Sequence, residues 1–144
     1  MTAKEIISKL PYRYPFLFVD EILAMDENTI TGIYRYDEKL PFYEGHFKDN
    51  PITPGVILTE TMAQIGLVAF GIYLMRAEPS LDEVKVALTS SNIDFFKPVF
   101  PGEKVRVKSE KEYFRFNKLK CKVQMYNQNG ELVCRGTIAG MMKI

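Results

Sequence analysis

Residues 56–76, "VILTETMAQIGLVAFGIYLMR", are apolar nearly all round. No other stretch constrains the fold as strongly. Wound as a helix at 1.5 Å per residue, such a segment is about 30 Å long. Only a bilayer or a protein interior accepts a helix that is greasy on every side. Glu60 and Gln64 lie one turn apart on it, with Thr59 and Thr61 beside them. Those polar groups, and the strand-rich remainder, point to the interior of a domain rather than to a membrane span. Pro54 and Gly55 stand at its start, where a helix N-terminus favours them. With 144 residues, 47% of them hydrophobic, the chain is expected to form one domain, 1–144, with its own core.

The rest of the chain reads mostly as strands. Residues 3–9 predict a short helix, stopped by Pro11, and "PYRYPF" is a proline-punctuated turn. Residues 17–25 predict a strand whose hairpin partner starts at Thr29. Residues 40–55 form a loop with three prolines and two glycines. After "AEPSLDE" at 77–83, strands are expected over 84–93, 104–114, 118–125 and 131–142. Over 104–114 the alternation is strict: Val105, Val107, Ser109, Lys111 and Tyr113 share one face. "NQNG" at 127–130 is a hairpin turn with Gly130 free to take a positive φ. The expected class is α+β, an antiparallel sheet of five to six strands wrapped around one long buried helix. One sheet face covers one side of that helix, so a second copy of the chain is expected on the other.

Several chemistries are excluded by counting. His46 is the only histidine, and Cys121 and Cys134 are the only cysteines. Three scattered residues make no metal ligand set, so no metal is expected. The cysteines read as reduced core thiols. Phosphate-binding glycine loops and a GxSxG elbow are absent. The opening "MTAKEIISKL" is a charged amphipathic helix rather than a secretory leader, and a cytoplasmic location is expected. Net charge is +1, yet residues 103–122 carry eight basic residues against three acidic ones. Such a run is either a set of solvated strand faces or a landing surface for an acidic partner. Nucleic acid fits poorly, because the domain as a whole is not basic.

Three stretches, "LPYRYPFLFVDEI", "GHFKDNPITPGVILTETMAQ" and "NIDFFKPVFPGEKV", occur in this order. Together they resemble the 3-hydroxyacyl-[acyl-carrier-protein] dehydratases of bacterial fatty acid synthesis, which have the hotdog fold. The resemblance spans roughly residues 8–142. Its specific core is GHF, then PxxPG, then a glutamate fourteen positions after the histidine. The chain departs from the common pattern at Tyr12, Lys48, Thr61 and Phe95, and relatives acting on polyketide or aryl-polyene chains share the same motifs.

Dehydration of a 3-hydroxyacyl thioester removes a C2 proton and expels a C3 hydroxyl. It needs a base, an acid and a donor to the thioester oxygen. His46 is the candidate base, because imidazole titrates nearest neutral pH. Glu60 is the candidate acid, because an apolar helix disfavours its ionised form. Gly55 opens the helix and is the candidate carbonyl-oxygen donor. Gln64 either holds Glu60 in place or fills the core. The acyl tunnel candidates are Phe47, Val56, Ile57, Phe95, Phe96 and Val99. The resemblance further implies that the Ile52 carbonyl holds one ring nitrogen of His46. It also implies that histidine and glutamate come from different subunits of a homodimer, and a trimer of dimers is common in the family. An acidic acyl carrier protein is the implied partner, with Lys97 beside the basic run, and no cofactor is implied beyond the carrier's phosphopantetheine. Either both residues move protons, or His46 moves both while Glu60 orients the departing water. Thioester hydrolysis, hydration of coenzyme A esters, an isomerising dehydration and a non-catalytic carrier-binding subunit are the competing readings.

Overall fold

The computed structural model describes residues 1–79 and 84–143. The end of the 77–83 linker lies outside the described residues. Six strands form one antiparallel sheet: β1 (Glu21–Met25), β2 (Thr29–Arg35), β3 (Lys85–Phe95), β4 (Lys104–Arg115), β5 (Lys118–Asn127) and β6 (Leu132–Lys143), in spatial order β1-β2-β4-β5-β6-β3. α1 (Ala3–Ser8) precedes them, capped by the Thr2 hydroxyl accepting from the Glu5 N–H. α2 (Gly55–Leu74) is the long helix. This is the hotdog arrangement that the motifs imply.

α2 runs in two α-helical pieces joined by a wider π segment, Gln64–Ala69. A π turn leaves helix carbonyls in search of donors. The Ser109 hydroxyl donates to the Gly66 carbonyl at 2.8 Å. That bond explains a fully buried serine on the apolar face of β4: it is small enough to admit the helix, and its own hydrogen bond is satisfied.

The inward face of the sheet follows the expected alternation with one break. Val105, Val107 and Ser109 on β4, and Leu119, Cys121, Val123 and Met125 on β5, are all buried. A bulge between Lys111 and Tyr113 then shifts the register by one residue. Past it, Phe114 rather than Tyr113 packs on the core. The 127–130 turn forms as expected, with Gly130 at φ 78°. Both cysteines are free and buried.

The first strand starts later than its sequence suggests. Residues 17–19 leave the sheet because the Phe18 N–H donates to Gln64 Oε1 on α2 at 2.8 Å instead of to a neighbouring strand. Gln64 Nε2 donates in turn to the Phe16 carbonyl at 2.9 Å. The segment between α1 and β1 is thereby strapped across α2. Its rings continue inward as an edge-to-face series, Phe16–Phe18–Tyr34–Tyr36. This strap covers part of the helix that a second copy of the chain is expected to cover. Residues 61–72 are all buried within one protomer, and exposure is confined to the first turns and the end of α2.

Candidate active site

The loop between β2 and α2 is held from both ends. A single 3-10 turn, Pro41–Glu44, starts it, and the Tyr43 hydroxyl is 2.6 Å from Thr53 Oγ1. The Thr53 N–H donates to the Val99 carbonyl at 2.9 Å. Between these anchors lies His46, half-buried, with its ring stacked on Phe47 at 4.0 Å between centroids. His46 Nδ1 is 3.0 Å from the Ile52 carbonyl oxygen. A carbonyl only accepts, so Nδ1 carries a proton, and in the neutral ring the lone pair is then on Nε2.

His46, Phe47, Ile52, Gly55, Phe95 and Phe96 line one cleft of about 370 Å³, closed further by Thr53, Leu58, Lys97 and Pro98. Phe47, Phe95 and Phe96 are each about half exposed, so the cleft carries three aromatic rings facing outward. Gly55 is the first residue of α2, and the first N–H groups of a helix have no partner within it. A Cβ on Gly55 would stand 3.2 Å from Phe95 Cζ. The Gly55→Ala variant is therefore expected to displace the Phe95 ring and lower kcat/KM about ten- to a hundred-fold through misplacement of the thioester. Steady-state kinetics beside a melting curve check this, since the fold should be unaffected.

Three tunnel candidates are not brought to this cleft. Val99 is fully buried core beneath Thr53, so it serves packing. Val56 is 77% exposed on the outer side of the first helical turn. Ile57 packs partly on the core. Lys97, expected to face an acidic partner, already pairs with Glu131 at 3.1 Å. The cation that sequence reasoning passed over is Arg135, whose guanidinium lies 5.5 Å from the centre of the Phe96 ring. Only the β3–β6 register, pairing Asp94 with Arg135, brings it there.

Glu60 lies elsewhere. Two residues beyond Leu58, it projects about 200° around the helix from the cleft-facing side. Gln64 Nε2 donates to Glu60 Oε2 at 2.9 Å, so one amide group both pins the strap and holds the carboxylate. Burial raises the Glu60 pKa, opposed by that hydrogen bond. Tyr12 is pushed up to about 12, by burial and then by the nearby Glu60 charge. A carboxyl with a raised folded-state pKa binds protons that the unfolded chain has released. Stability therefore falls as pH rises from the ordinary carboxylate range through the raised value, and the cost persists above it. Glu60→Gln removes the cost, so its melting temperature should exceed wild type by a margin that opens as pH rises.

A family model described as a FabA-like domain matches residues 10–142. The 3-hydroxyacyl-[acyl-carrier-protein] dehydratase FabZ of Rhizobium etli is 37% identical over 141 residues, covering 96% of this chain and 86% of that protein. The chain belongs to the FabA-like family. A second FabZ dehydratase, from Geotalea uraniireducens, is 37% identical over 117 residues, 80% of this chain and 79% of its own length. Among solved structures, the dehydratase heterocomplex ApeI:P from Xenorhabdus doucetiae superposes with a TM-score of 0.81 at 11% identity, over 100% of this chain and 93% of that one. A thioesterase from Haemophilus influenzae gives 0.61 at 19% identity, over 85% and 77%. These two likenesses concern the fold alone.

Proposed function

We propose that the protein dehydrates 3-hydroxyacyl thioesters carried on an acyl carrier protein, yielding trans-2-enoyl thioesters for fatty acid or related chain elongation. The observation that carries this reading is the pairing of a free imidazole Nε2 with a cleft that opens onto the N-terminus of α2. His46 Nε2 takes the C2 proton. The Gly55 N–H and the helix dipole stabilise the charge that develops on the thioester oxygen. The C2–H electron pair becomes the C2=C3 double bond as the C3–O bond breaks. Glu60, whose protonated form is favoured by burial, gives its proton to the departing hydroxyl, which leaves as water. Proton return from His46 to Glu60, directly or through water, resets the site. None of these steps calls for a metal or cofactor beyond the carrier's phosphopantetheine arm.

Because Glu60 faces away from the His46 cleft of its own protomer, the complete site joins His46 of one copy to Glu60 of another. β3 is the means of joining. It is an edge strand of eleven residues, exposed along most of its length, with one side of its backbone unpaired. A homodimer pairs these edges, with further assembly into a trimer of dimers. Phe47, Phe95 and Phe96 receive the acyl chain, and Arg135 and Lys97 face the acidic carrier at the mouth.

The test is conversion of a 3-hydroxyacyl carrier-protein thioester to the enoyl form, followed across short, long and aryl chains. Turnover of at least one chain class supports the reading. A wild-type protein inert toward all of them would overturn it.

A further inference from the structure

The end of the molecule remote from the cleft carries a second surface with its own chemistry. The β4–β5 hairpin turns at Phe116 and Asn117, both at positive φ. Phe116 is 93% exposed, the barest large apolar side chain among the described residues. Met141, 40% exposed, stands on the same side, opposite Lys118 in the β5–β6 register.

The charges around these groups are arranged against the fold's own interest. Arg115 and Lys118 face each other directly across the hairpin. Lys85 and Lys143 face each other directly across β3 and β6. Like charges directly opposed on neighbouring strands are destabilising. Lys120 adds a fifth cation, paired with Glu112 at 3.7 Å. Among the described residues a further carboxylate at this corner is Glu78, in the recess that Lys143 shares with Leu74, Met75, Phe114 and Asn117. An anionic surface laid over the corner would relieve both repulsive pairs and cover the bare ring.

We infer that this basic, phenylalanine-tipped corner docks on an anionic phospholipid surface. Phe116 would sit at headgroup depth, where aromatic rings are favoured. Arg115, Lys118, Lys85 and Lys143 would lie among the phosphates, each adding to the attraction. The acyl carrier does not fit the same corner. Within one copy its arm must reach Gly55 and His46 at the start of α2, whereas Leu74 and Met75 mark the helix's other end, about 30 Å away. Nucleic acid fits no better, because the chain's net charge is only +1.

The experiment is cosedimentation of the full chain with vesicles of phosphatidylglycerol and phosphatidylcholine, and with phosphatidylcholine alone. Binding is expected to the mixed vesicles only, at low salt, with release at high salt. The double variant F116S/K118E should lower the bound fraction about ten-fold or more while leaving dehydration of a soluble carrier substrate unchanged. Failure to sediment with anionic vesicles overturns the inference. So does a double variant that binds like wild type. A change in native mass in the double variant would also overturn it, because the corner's occupant would then be a second copy of the chain.

Discussion

His46→Ala is expected to lower kcat/KM by about 10³-fold or more, the loss of both the base and its place in the proton relay. The fold should survive. The ring is half-buried in a loop that Tyr43, Thr53 and Val99 anchor independently, and the one hydrogen bond lost is that to the Ile52 carbonyl. Such a bond is worth about 1 kcal/mol net, a shift of a few degrees in melting temperature. Activity and stability should thus separate cleanly in this variant. Retention of turnover would remove His46 from the mechanism.

Glu60→Gln is expected to cost about 10² to 10⁴-fold in kcat with little change in KM, because the amide keeps the bond to Gln64 but has no acidic proton to give. The wild-type pH profile carries a second signature. Activity that requires protonated Glu60 declines as pH rises through its raised pKa. The variant should lack that decline while gaining stability over the same range. A variant as active as wild type would assign Glu60 to packing alone.

Local periodicity made much of the fold legible. The all-round apolar run is the core helix, the two-residue alternation of β4 and β5 puts Val107 and Val123 inside, and the 127–130 turn lies where Asn and Gly place it. The order of GHF, PxxPG and Glu60 carried the candidate site. What stayed hidden depends on contacts distant in sequence. The strap over α2 has no period, and its bonds join Phe16 and Phe18 to Gln64, more than forty residues away. Tyr113 and Phe114 exchange places because of a bulge that alternation cannot reveal. Val99 and Phe95 are both apolar and close in sequence, yet one is core and the other half exposed on the cleft wall, which only their tertiary neighbours decide.

Gln64 shows why the two readings of a buried polar residue need not compete. It fills the core and spends its amide on three partners: the Phe18 N–H, the Phe16 carbonyl and Glu60. No buried side-chain nitrogen or oxygen among the described residues lacks a partner. The site's polarity is therefore accommodated by pairing rather than by strain.

The most direct test of a site shared between copies is to mix two dead proteins. His46→Ala and Glu60→Gln are refolded or coexpressed together, and the dehydration rate is measured against each alone. Random pairing makes half the dimers mixed, each with one intact site joining His46 of one copy to Glu60 of the other. Recovery to about a quarter of the wild-type rate is expected. Mixed dimers that form, as mass analysis of tagged copies would show, yet stay inactive would contradict the shared site.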